Sequence, residues 1–120
     1  MRRAFLAGLL ALGLSSCATA GGSPRTFTGV WDWGFETSSF TTNRGEGPYW
    51  LSGEGANWDA LVAPIRASGG GPWGQVAIVV EGQLSPAGRY GHMGAYAREL
   101  RVTRVIEARL LRSSNPPSGS

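Results

Sequence analysis

A chain of 120 residues with eleven arginines, no lysine, eight acidic residues, one cysteine and one histidine is long enough for one small domain and hardly for two. The missing lysine excludes a Walker A phosphate loop, a Schiff-base lysine and Ser-x-x-Lys acylation, and one cysteine with one histidine cannot supply the three or four ligands of a usual zinc site. The formal charge of +3 includes Arg2 and Arg3; without them nine arginines face eight acids, so basicity is no argument for a nucleic-acid partner.

The N-terminus reads Met1-Arg2-Arg3, then an apolar run over residues 4–14 interrupted only by glycine, then Leu14-Ser15-Ser16-Cys17. A positive end, a short apolar segment and small residues in that order predict a secretory signal over residues 1–16. As a helix the apolar run would reach about 16 Å, roughly half of the ~30 Å hydrocarbon core, which is too short for a stable span.

Leu14-Ser15-Ser16-Cys17 resembles the lipobox of bacterial lipoproteins. The resemblance implies a diacylglyceryl group on Cys17, cleavage just before it, acylation of the freed amine and firm attachment to a membrane. Ala18, where aspartate would signal retention, resembles the second mature residue of lipoproteins sorted to the periplasmic face of the outer membrane of a Gram-negative cell. An ordinary signal peptide with an incidental cysteine is the alternative. With Cys17 lipidated no thiol is left to oxidise, and the remaining 104 residues must fold on a hydrophobic core alone.

Residues 18–25 are small, polar and turn-rich and read as a tether, so that the lipidated tether covers residues 17–25. From Phe27 a period of two sets in. Phe27, Gly29, Trp31, Trp33 and Phe35 share an inner face, and Thr28, Val30, Asp32, Gly34 and Glu36 an outer one. Residues 37–48, rich in Thr, Ser, Asn, Gly and Pro, read as a loop or frayed hairpin end. Tyr49, Leu51 and Gly53 alternate with Trp50, Ser52 and Glu54 in a second, short strand. Trp58, Leu61, Val62 and Ile65 follow at helical spacing, with Asn57 as the expected N-cap, Asp59 in the first turn and Pro64 as the expected end.

Residues 68–72 form a glycine-rich connection. Val76, Ile78, Val80 and Leu84 then alternate with Ala77, Val79, Glu81 and Gln83 around Gly82, the clearest strand pattern in the chain. After the glycine- and proline-rich residues 85–94, a last strand is expected from about Ala97 to Leu111. Helix competes there, although Leu100, Val102, Val105 and Ile106 give no clean 3.6-residue stripe. Residues 113–120 read as a disordered tail. Four or five strands and one short helix must hide their edges. The expectation is mainly β: a small closed or partly open five-stranded Greek-key barrel of the OB type over residues 26–112, its end plugged by the helix. A strongly bent sheet packed on the helix is the alternative.

The segment 84–100 concentrates Arg89, Tyr90, His92, Tyr96, Arg98 and Glu99 among glycines 88, 91 and 94. It is either a recognition surface or a corner in which polar tips satisfy backbone groups. Trp31, Trp33 and Trp58 are expected to fill the core, and Trp50 and Trp73 to be contact residues. Asp32 and Glu36 would lie roughly 13 Å apart along one strand, beyond the ~5–10 Å that glycosidase pairs use, and nothing selects a cross-strand pair among Glu54, Glu81 and Glu99. The arginines 98, 101, 104, 109 and 112 are expected to solvate and guard a sheet edge, with an anionic headgroup or wall polymer as the functional alternative.

A strand ending in Gly82-Gln83-Leu84, a Gly-His-x-Gly-x-Tyr turn over residues 91–96 and Arg98-Glu99-Leu100-Arg101-Val102 together resemble a family of small bacterial lipoproteins with no assigned activity. The Trp58 helix and Gly-Pro-Trp-Gly at 71–74 precede them in the same order. This resemblance implies the envelope location and adds no mechanism. The expectation is a non-enzymatic, membrane-tethered binding or structural module for an envelope protein or cell-wall component, without cofactor, metal or nucleic-acid partner. Two alternatives are a β-barrel inhibitor of a wall-degrading enzyme such as lysozyme, and an oligosaccharide- or small-ligand-binding OB module.

Overall fold

The computed structural model describes residues 23–114; the signal, Cys17 and most of the tether and of the tail lie outside them. Five strands, β1 (Arg25–Gly34), β2 (Thr37–Thr42), β3 (Tyr49–Ser52), β4 (Gly74–Leu84) and β5 (Glu99–Ser113), are joined by one helix, α1 (Gly55–Ala67), between β3 and β4. The strands close into a barrel in the order β1-β2-β3-β5-β4, with β4 returning to β1. All pairings are antiparallel except β3 with β5. This is the five-stranded OB arrangement, and the bent-sheet alternative falls because every strand pairs with two others, β3 with β5 included.

Side chains at period two fill the barrel: Phe27 and Trp31 from β1, Phe40 from β2, Leu51 from β3, Val76, Ile78 and Val80 from β4, and Leu100 and Val102 from β5. Leu61, Val62 and Ile65 of α1 are buried against this core. The plug sits close. A Cβ on Gly74 would lie 2.6 Å from Ile65 Cδ1, so any larger residue there requires the buried Ile65 side chain to move.

Several expectations are corrected. The polar stretch after residue 36 contains a true strand, β2, whose Ser38, Phe40 and Thr42 point inward; composition hid it because two of the three inward residues are hydroxylic. Ser38 is compatible with the core because Trp31 Nε1 donates to its Oγ at 2.9 Å and that hydroxyl donates to the Leu51 carbonyl at 2.6 Å. Phe35 does not join the inner face: β1 ends at Gly34, and Phe35 is 84% exposed in the β1–β2 turn.

Helix α1 is longer than expected. It starts at Gly55 after Glu54, no side chain caps it, and Pro64 lies inside it. Asn57 instead donates from Nδ2 to the Thr103 carbonyl. Burying Leu61, Val62 and Ile65 contributes about 1.5–3 kcal/mol each, which outweighs the ~3 kcal/mol cost of an interior proline. Both ends of the domain also move outward: Arg25 already pairs with Gly82, and Ser113 with Gly74.

β5 pairs with β4 along nearly its whole length but with β3 only over residues 99–101, so Arg104, Arg109 and Arg112 lie on a stretch that is bonded to a strand on one side only. The missing alternation of β5 has a cause. The β4–β5 register slips at Gln75/Val76, Val79/Val80 and Glu81/Gly82, and each slip changes which residues face inward. The arginines of β5 are accordingly dispersed: Arg101 meets Glu54 at 3.7 Å and Arg104 meets Glu81 at 3.1 Å.

Candidate binding face

The site is built outward from Trp31. Its fully buried indole, fixed by Ser38, packs edge-on against Trp58 of α1 (centroids 5.5 Å apart, 75°) and against Trp33, two residues along β1, at 6.2 Å. Trp33 and Trp58 are only partly buried. They expose faces into a cavity of about 410 Å³ that Trp50 of β3 also lines, with Glu36, Thr37 and Ser52 as polar members. Three indoles therefore converge where the β1–β2 turn, β3 and the start of α1 meet.

The loop between β4 and β5 reaches this place as a continued hairpin. Gly88 N donates to Ala97 O, and Tyr90 and Tyr96 exchange both backbone bonds at 2.9 and 3.1 Å. Tyr90 Oη donates to the Pro86 carbonyl at 2.9 Å, bracing the base of the hairpin. The tip is a single 3-10 turn, His92–Gly94.

This hairpin leans on Trp50. Tyr96 meets the Trp50 ring edge-on at 5.3 Å, and Gly91 (φ 71°, ψ −159°) passes so close that a Cβ would lie 2.4 Å from Trp50 Cδ2. That backbone region is essentially glycine's alone. At the tip His92 Nε2 lies 2.9 Å from Glu36 Oε2 in the β1–β2 turn. The contact is an ion pair when the imidazole is protonated and a hydrogen bond from Nε2–H to the carboxylate otherwise. It joins the two loops that flank the cavity.

Glu36 and Met93 adopt left-handed backbone, with φ of 58° and 60°, and they sit at the tips of these two loops. Beside the bridge, Phe35 is 84% and Met93 80% exposed. Strained backbone and large exposed apolar side chains thus coincide at one end of the molecule.

Of the residues singled out by sequence for binding, only Trp50 lines the cavity; Tyr96 and His92 lie outside its lining and touch it through Trp50 and Glu36, and Tyr90 supports the hairpin. Arg89 packs against Gly94 on the hairpin, outside the cavity lining. Arg98 donates to the Ser85 carbonyl at 2.9 Å, at the barrel mouth. Trp73 is 43% exposed beside Gly34 and does not line the cavity. Sequence reasoning placed Trp33 and Trp58 in the core, against which they do pack while also lining the cavity, and it overlooked Thr37. The apolar spacing that places an indole against a core is the same whether or not its far edge is open to solvent.

The carboxylates are separately engaged. Asp32 accepts from Gln75 Nε2 at 2.9 Å, Glu99 from Ser52 Oγ at 2.6 Å, and Glu54 and Glu81 meet arginines. Among the described residues no three His, Cys, Asp or Glu side chains cluster as metal ligands. No family model, no curated protein and no solved structure matches the chain.

Proposed function

We propose that the chain is a non-enzymatic binding module, held at the cell envelope by a lipid on Cys17, whose Trp33–Trp50–Trp58 cavity takes an oligosaccharide. The observation that carries the ligand class is the convergence of three indoles with Glu36, Thr37 and Ser52 on one cavity. Sugars offer apolar C–H faces that stack on aromatic rings and hydroxyls that need convergent polar partners. The cavity also occupies the place at which OB barrels bind oligomers, the β2–β3 region flanked by the β1–β2 and β4–β5 loops. The lipobox-like Leu14-Ser15-Ser16-Cys17 supports the anchor.

Titration of the protein with cell-wall muropeptides and glycans, followed by tryptophan fluorescence, tests the ligand class. A saturable change that Trp50→Ala removes is expected, and an unchanged spectrum at saturating glycan overturns the assignment. For the anchor, Cys17→Ser is expected to release the protein from the membrane fraction, and undiminished retention there overturns it.

One observation favours a second reading. Phe35 and Met93 project at the two loop tips, which suits insertion into a macromolecular partner such as a wall-degrading enzyme. Inhibition of lysozyme by the soluble domain, lost in Phe35→Ala, would replace the sugar reading; no inhibition at micromolar protein dismisses this one.

A further inference from the structure

A second cavity, of about 570 Å³, opens at the barrel mouth where the N-terminal segment joins β1, and Arg25, Arg98, Leu84, Pro24 and Pro86 line it. Register brings these residues together. Arg25 pairs with Gly82, two residues before Leu84, and Leu84 pairs with Leu100, two residues after Arg98.

Neither guanidinium has a carboxylate partner among the described residues. Each is held instead by a neutral contact: Arg25 lies 4.6 Å over the Phe27 ring, and Arg98 Nη1 donates to the Ser85 carbonyl at 2.9 Å. Two cations are thus fixed at one cavity with their charge uncompensated. Arg44 and Glu46 share a neighbouring depression with Arg25.

Arginine's planar fork matches the oxygens of a phosphoryl group in bidentate fashion. The cavity sets that chemistry beside apolar Leu84, Pro24 and Pro86, which suits an anion carrying its own apolar portion. We infer that Arg25 and Arg98 form a receptor for the phosphodiester of an anionic phospholipid headgroup.

The choice of a lipid over a free phosphate rests on the envelope anchor proposed above; the anion chemistry does not. Six residues lead from Cys17 to Ser23, a reach of at most about 22 Å at ~3.3–3.6 Å per residue. A lipid on Cys17 therefore keeps this mouth close to the headgroup layer.

The test uses the unlipidated protein from Ala18 onward, which contains every strand and the whole core, so a failure of the lipidation reading leaves it untouched. Cosedimentation is measured with vesicles of phosphatidylcholine alone and of phosphatidylcholine mixed with phosphatidylglycerol. Binding to the mixed vesicles only is expected, weakened about five-fold by Arg25→Gln or Arg98→Gln and roughly twenty-five-fold by both. The pair Arg109→Gln and Arg112→Gln, at the other end of β5, is expected to change it far less. Equal losses from the two pairs would reduce the effect to net charge and overturn the site, as would full binding by the Arg25/Arg98 double variant. Should glycerol phosphate shift the guanidinium NMR signals of Arg25 and Arg98 while the mixed vesicles do not bind, the lipid assignment falls to a soluble phosphate. Near-UV circular dichroism confirms that each variant is folded.

Discussion

Trp31 Nε1 and Ser38 Oγ, 2.9 Å apart inside the barrel, tie β1 to β2, and through the Leu51 carbonyl the same hydroxyl ties β2 to β3. The indole so fixed is the surface against which Trp33 and Trp58 are set. A core hydrogen bond therefore governs the geometry of the cavity.

Removing that hydroxyl strands a buried donor. Ser38→Ala is expected to destabilise the domain by about 1–3 kcal/mol, read as a lower urea midpoint with an unchanged slope. Adding Trp31→Phe removes the orphaned N–H, so the double variant should lose less than the sum of the two single losses.

At Gly74 the limit is steric. A Cβ there meets Ile65 at 2.6 Å, so Gly74→Ala should cost about 1–3 kcal/mol through overpacking. Ile65→Val in the same chain shortens the opposing side chain and should return part of the loss. If Gly74→Ala alone leaves thermal stability unchanged, the plug is looser than the contact implies.

Gly91→Ala separates loop position from fold. The new Cβ would enter the Trp50 ring, and φ of 71° is unfavourable for alanine. The hairpin should lift from β3, altering Trp50 fluorescence and weakening the proposed glycan binding by at least ten-fold, with the barrel's far-UV spectrum retained.

The bridge between His92 and Glu36 is half exposed on both sides, and little global stability is expected from it. Its local effect should be larger. His92→Ala and Glu36→Gln should each speed amide exchange in residues 90–96 without moving the unfolding midpoint, and a shared acceleration in both variants would show that the two side chains act as one latch.

Whether the β4–β5 loop recognises a partner is open to a direct test. Crosslinking and pull-down with the full chain, repeated with His92 and Tyr96 replaced by alanine, should lose the specific partner if the β4–β5 loop recognises it. Unchanged partners would assign those two residues to hairpin structure alone.

Strand β4 and most of β1 were legible because alternation of large apolar with small or polar residues survives wherever one face is buried. β2 was not, because hydroxyls took inward positions that only a hydrogen-bonding partner across the barrel could license. Pro64 signalled a helix end that the burial of Ile65 overrides. The barrel itself followed from the need to hide edges, and the arginines of β5 beyond Arg101 do lie where that strand pairs with β4 alone. At the candidate site, the glycines and the histidine marked the β4–β5 loop. Its landing point on Glu36, 56 residues earlier in the chain, is a tertiary fact with no local signal.

The parallel seam between β3 and β5 has a kinetic consequence. Ser52 and Glu99, bonded across it, are 47 residues apart, whereas the β1–β2 turn closes over two residues. Chain closure over the longer span is slower and entropically dearer. The hairpins can form while the seam is still open, and the face over Trp50 is completed only when β3 and β5 meet. Affinity for the proposed glycan ligand, followed during refolding, should therefore be the last native property to appear.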